Sequence, residues 1–146
     1  MNLSDPFKIL SPNERWAPTQ GQMDAFQNAY EKLLPPLVYK IRLAAAKWRD
    51  EGYQGASETS KSLLNFWFNQ EHLIGQTKFS FFFSQREAIE SIIYLYEIAK
   101  ARDKYELVRF DSSQRVSTGM FEETWTRYVI KMATGAGKTK VMGLTL

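Results

Sequence analysis

The chain of 146 residues is 44% apolar, 24% charged and 14% aromatic, proportions of an ordinary globular domain with enough ring-bearing side chains for a substantial core. It has no cysteine, which excludes disulfides and thiolate metal sites. No run approaches the roughly 18 uninterrupted apolar residues of a membrane span, and Met1-Asn2-Leu3-Ser4-Asp5 lacks the basic start and apolar stretch of a secretion signal. A net charge of +3 and a pI near 9.1 are compatible with a polyanionic partner without identifying one; a reducing, cytoplasmic setting and no membrane partner are expected.

Residues 1–36 begin with Pro6, Pro12, Pro18 and Gly21 among scattered Ser and Asn, which reads as an irregular arm laid over the domain. Within it Phe26, Tyr30 and Leu33 fall at helical spacing, so a short helix is expected over Met23–Leu34 until Pro35-Pro36 redirects the chain. A helical hairpin leader is expected over 37–78. Its first helix runs from Leu37 to Glu51, with Leu37, Ile41, Ala44 and Trp48 on one stripe and Gly52 placed to end it. Lys40 and Lys47 flank that stripe, and Arg42 and Arg49 lie toward the other side. Two readings of this helix stand side by side: solvated basic edges on an amphipathic helix, or Trp48 stacking on a base while the cations meet phosphate.

Tyr53-Gln54-Gly55-Ala56 reads as a turn, and a second helix starts near Ser57, with Ser57 or Thr59 as N-cap and Leu63, Leu64, Trp67 and Phe68 as its apolar face. His72, with no second His or Cys to share a metal, is expected at the surface or in a loop. Residues 79–146 then carry the nucleotide-related features. Phe79-Ser80-Phe81-Phe82-Phe83 is a buried strand or an apolar lead-in to a helix, and one ring could wall an adenine pocket. Ser84-Gln85-Arg86-Glu87 has the spacing of a capping box, opening a helix to about Arg102. Its apolar stripe is Ala88, Ile92, Leu95 and Ala99, broadened by Ile89, Ile93 and Tyr96, with Arg86, Glu90 and Glu97 opposite. The connection from Asp103 to Thr126 is polar; Tyr105–Phe110 is expected as a short strand, and Asp111-Ser112-Ser113 and Ser117-Thr118-Gly119 as turns.

Near the end, the β-branched run at Val129-Ile130 leads through Lys131 into Met132-Ala133-Thr134-Gly135-Ala136-Gly137-Lys138-Thr139, and Lys140 onward starts a helix. Strand, glycine loop and helix suit a nucleotide's phosphate tail. Gly135 and Gly137 admit positive φ and close backbone approach, so that N–H groups of Thr134 to Lys138 point inward as an anion nest. The helix start adds unsatisfied N–H groups and partial positive charge. Lys138 is positioned to meet the β and γ phosphates of ATP, and the Thr139 hydroxyl to complete the coordination of Mg²⁺. The usual phosphate-loop pattern begins with Gly, where this chain has Met132.

That octet resembles motif I of superfamily 2 helicases, spelled A-x-x-G-x-G-K-T. Upstream, Phe83-Ser84-Gln85-Arg86-Glu87-Ala88-Ile89 is similar to the stretch in which those proteins place an adenine-reading Gln. Together with Trp48-Arg49-Asp50-Glu51-Gly52-Tyr53-Gln54-Gly55, Leu63-Leu64 and Trp67, the region from residue 37 onward resembles the helicase subunit of type III restriction enzymes. The resemblance implies an α/β fold: a mainly helical leader, then the first strand, phosphate loop and first helix of a RecA-like parallel sheet. It also implies ATP and Mg²⁺ as cofactors, Gln85, Thr134, Gly135, Ala136, Gly137, Lys138 and Thr139 as the nucleotide site with Lys138 and Thr139 catalytic, and translocation on double-stranded DNA beside a methyltransferase modification subunit. Seven residues follow Thr139. A parallel sheet needs more strands than they can supply, so the chain reads as the N-terminal piece of a longer ATPase, with little turnover of its own. Two other readings stay open: a phosphate-loop ATPase of another class, and a non-catalytic interaction or DNA-docking module.

Overall fold

The structure, a computed structural model, describes residues 5–12, 36–111, 113–120, 122 and 125–145. The helix expected over Met23–Leu34 and most of the N-terminal arm lie outside the described residues. The architecture is mixed and rich in helix, with one small antiparallel hairpin.

Helix α1 covers Val38–Asp50 and buries Ala45 and Trp48. It ends in a Schellman turn: Gly52 takes φ 72°, its N–H bonds to the Arg49 carbonyl at 2.9 Å, and the Tyr53 N–H reaches the Trp48 carbonyl at 2.9 Å. The Trp48 indole donates to the Gln54 carbonyl at 2.9 Å and is 3% exposed, so it is a core residue and its face is closed to any base. Helix α2, Glu58–Asn69, starts where Ser57 accepts from the Ser60 N–H.

Strands β1, His72–Ile74, and β2, Thr77–Phe79, pair in register His72 to Phe79, Leu73 to Lys78 and Ile74 to Thr77, around Gly75 at φ 63°. Sequence periodicity does not disclose this hairpin inside the helical leader, because three-residue strands are too short to show alternation. His72 is half-buried at its start. Its Nε2 lies 2.7 Å from the Phe66 carbonyl, and the ring sits edge-on to Phe66 and Phe81.

Helix α3, Phe83–Ile93, is the centre of the molecule and packs against α1, α2 and the last helix, α5. The core gathers Trp48, Tyr53, Ala56, Leu64, Ile89 and Val141, with Trp67, Phe68, Tyr94 and Met132 packed against it. The expected capping box at Ser84 is displaced by two residues. Phe82 occupies the cap position and its N–H bonds to Gln85 Oε1 at 2.9 Å; the amide reaches a cap without any hydroxyl on it. Nor does the α-helix continue to Arg102. It widens into a π-turn over Tyr94–Ile98 and stops at Lys100, with φ 50°.

The strand expected at Tyr105–Phe110 is instead helix α4, Lys104–Val108. Asp103 accepts from the N–H groups of Tyr105 and Glu106 at 2.8 and 2.9 Å, and this cap outweighs the β propensity that follows it. The turn at Asp111 forms as expected: its carboxylate accepts from the Ser113 N–H and hydroxyl and from the Val116 N–H. Thr118–Met120 is a 3₁₀ turn.

The strand expected before the loop is not formed. Among the described residues the sole sheet is the hairpin, residues 126–133 have no regular structure, and Val129 is 86% exposed. A β-branched run becomes a strand only where a neighbour supplies the hydrogen-bond ladder, and here none does. A RecA-like parallel sheet is accordingly no part of what the described residues build. Helix α5, Lys138–Thr145, does follow the loop and anchors Val141 in the core. Among the described residues no helix is long and apolar enough to cross a membrane.

Candidate functional site: a glycine loop against Gln85

The loop from Met132 to Thr139 bends on two glycines. Gly135 has φ 81° and Gly137 φ 75°, a region that residues with a Cβ rarely occupy. The Ala136 N–H turns back to the Ala133 carbonyl at 3.3 Å, and Gly137 presents its carbonyl to the N–H groups of Lys140 and Val141, opening α5. Thr134, Gly135, Lys138 and Thr139 are exposed; Ala136 and Gly137 are half-buried. The Lys138 ammonium folds over the loop and donates to the Met132 carbonyl at 3.1 Å and, more weakly, to that of Ala133 at 3.5 Å. It is therefore held at the loop rather than drawn into a carboxylate pair.

Gln85 stands 52 residues earlier in sequence and against this loop in space. It is 5% exposed. Its Oε1 fixes the start of α3 through Phe82, and its Nε2 donates to the Gly137 carbonyl at 3.4 Å, a long bond. A Cβ built on Gly137 falls 2.1 Å from Gln85 Nε2. Glycine is favoured at 137 by its dihedral, and a Cβ there would also have to push the Gln85 amide aside. The carboxamide keeps one lone pair and one N–H beyond the two bonds it makes.

Phe83 and Arg86, which flank Gln85 in α3, help to line a cavity of about 440 Å³ together with Phe7, Phe79 and Phe81 and with polar residues such as Glu71. Of the lead-in run, Phe79 closes β2 and Phe83 opens α3, while the Phe79 and Phe81 rings lie 5.0 Å apart. Lys140, in the first turn of α5, places its ammonium 5.2 and 5.6 Å from those two rings. The cavity thus takes in the neighbours of Gln85 on α3, and two of its rings face Lys140 of the helix that the loop opens.

For ATP the residues present form a fitting set: a doubly glycine-bent loop, a helix start, an exposed ammonium and, on the α3 side, a cavity walled in part by aromatic rings. For Mg²⁺, Thr139 offers one hydroxyl, and no group of three or more His, Asp or Glu that could hold a metal occurs among the described residues. One protein ligand is in keeping with an ion carried mainly by phosphate oxygens.

The strongest electrostatic feature is one that periodicity hides. Glu90, expected on the solvated side of α3, is 0% exposed. Arg49 Nε lies 3.0 and 2.8 Å from its two oxygens, Arg86 Nε 2.8 Å from Oε1, and the Tyr53 hydroxyl donates to Oε1 at 2.6 Å. A second rung joins Arg42 to Glu87 at 3.2 Å. Arg42 and Arg49 are therefore not solvated edges of α1; they bind it to α3, which is covered on more sides than a single amphipathic stripe implies. Burial, with the carboxylate of Glu90 beside it, pushes the Tyr53 phenol up to about 12. Glu97, also expected in solvent, reaches back to the start of α2 and accepts from the Ser57 N–H and hydroxyl and the Ser60 hydroxyl. Partial burial raises its pKa, but these donors outweigh it and hold the carboxyl below its usual value. Arg42 with Glu87, and Arg49 with Glu90, are the sequence signal that was present: opposite charges at helical spacing on two segments.

Comparison of the chain with models of protein families, with curated proteins and with solved structures finds no significant match.

Proposed function

We propose that this chain carries the ATP-binding loop of a superfamily 2 ATPase, of the kind found in the helicase subunit of type III restriction enzymes. The observation that supports this best is the contact of Gln85 with Gly137, which brings together two stretches that resemble nucleotide motifs and lie far apart in sequence. The loop N–H groups and the start of α5 hold the phosphates; the Lys138 ammonium exchanges its carbonyl partners for phosphate oxygens; Gln85 meets the base edge with its remaining lone pair and N–H. ATP supplies the transferable phosphoryl group, and Mg²⁺ draws charge from its oxygens. Thr139 offers its hydroxyl to the metal. In the parent ATPase this region belongs to a RecA-like motor that moves on double-stranded DNA in the cytoplasm, beside a methyltransferase modification subunit.

Calorimetric titration with Mg·ATP tests the reading. The wild-type chain binds ATP, and Lys138→Ala weakens binding by at least about tenfold with its thermal midpoint unchanged, because an exposed charge is lost and no core volume. Gln85→Ala erodes the preference for ATP over GTP. Undiminished binding by Lys138→Ala discards the proposal. A second reading, a non-catalytic docking module with a closed loop, draws on the engagement of Lys138 and Ala136 with the loop's own carbonyls; no ATP binding by the wild type would favour it.

A further inference from the structure

The N-terminal segment is tied to the same two residues that carry Gln85. The Phe83 N–H donates to the Pro6 carbonyl at 2.9 Å, and the Phe7 and Phe82 rings meet with centroids 5.3 Å apart. The Phe82 N–H is in turn the partner of Gln85 Oε1. The segment is shaped locally by Asp5, whose carboxylate accepts from the Phe7 N–H at 2.9 Å and whose carbonyl accepts from the Lys8 N–H at 3.2 Å. Phe7 and Ile9 are each about half exposed, and both face the aromatic cavity.

With Phe7 in place the cavity still measures about 440 Å³, within the roughly 300–1,000 Å³ of small-molecule sites. The ring is a wall, not a plug. A planar heterocycle lying between Phe81 and Arg86, both of which line the cavity, would meet it, and the Lys140 ammonium lies 5.6 Å from the Phe81 ring. We infer that Phe7, carried by the N-terminal segment, is a specificity-determining wall of the site that takes the base of a nucleoside triphosphate, so that docking of this segment and occupancy by the base reinforce one another. This rests on the nucleotide reading of the loop and adds to it a residue 78 positions before Gln85.

The test titrates the full chain by calorimetry with ATP and with inorganic tripolyphosphate, which engages the loop but has no base. Phe7→Ala weakens ATP binding about tenfold, the scale of one lost base–aromatic stack, and leaves tripolyphosphate binding unchanged. Phe7→Tyr, which keeps the ring, binds ATP as the wild type does. ATP also slows hydrogen exchange at the Phe83 amide, the donor to Pro6. Lys138→Ala weakens both ligands, which identifies the loop as their common site. If Phe7→Ala binds ATP as tightly as the wild type, or loses ATP and tripolyphosphate alike, the inference is overturned while the loop reading stands. If the wild type binds neither ligand, the loop reading falls and this inference with it.

Discussion

Gly137 is constrained twice over, by φ 75° and by the Gln85 amide lying where a Cβ would project. The first constraint costs a substituted residue about 1–2 kcal/mol; the second acts only while Gln85 is present. Gly137→Ala is therefore expected to lower the urea midpoint more in the wild-type background than in Gln85→Ala. A double-mutant cycle measures the difference, and strictly additive losses would refute the contact. Thr139 and Lys138, by contrast, are exposed, so their substitution is expected to leave stability alone.

At the scale of elements, the joint between α1 and α3 is ionic as well as apolar. Glu90→Gln leaves the Arg49 and Arg86 guanidiniums facing a neutral amide in a buried position, and loss of one partner from such a cluster costs about 3–5 kcal/mol. Urea denaturation of this variant should show a loss of that order, while Glu58→Gln, which disturbs an exposed pair with Lys61, should stay within about 0.5 kcal/mol. The sequence announced α1, α2 and α5 because each has a long period or a cap next to a stop signal: Gly52 after α1, Ser57 before α2, Gly137 before α5. It concealed Glu90, since a carboxylate reads as solvent-facing unless its cations are known to arrive from another helix. It misdirected at Tyr105–Phe110, where the Asp103 cap was more informative than the aromatic and β-branched residues after it. Val129 and Ile130 have strand-forming side chains, yet side chains alone do not satisfy a backbone. At the site, the glycine loop and Gln85 were legible one by one, whereas their contact and the part taken by Phe7 required three dimensions.

At the scale of the whole molecule, two buried or half-buried groups set opposite limits on pH. Burial raises the Asp111 carboxyl, but hydrogen bonds from Val116 and Ser113 outweigh it and bring it to about 2 from an ordinary 3.8. The unfolded chain takes up this proton first as pH falls, so the contribution of Asp111 is complete above about pH 3.8 and is lost toward pH 2. The Tyr53 phenol, raised from 10.0 to about 12, works the other way: its contribution is complete below pH 10 and is lost as pH climbs to about 12. Thermal midpoints recorded across both windows should fall at each end. Asp111→Asn should flatten the acid limb and Tyr53→Phe the alkaline one; limbs unchanged by either substitution would contradict these assignments.

Helix α3 draws its neighbours from both directions along the chain: Pro6 and α1 before it, the glycine loop and Val141 after it. On a ribosome, then, the central helix emerges long before its last companion. Until Val141 clears the exit tunnel, the face of α3 around Ile89 that α5 packs against stays wet, and a nascent chain stalled short of that point is bait for chaperones rather than a half-built domain.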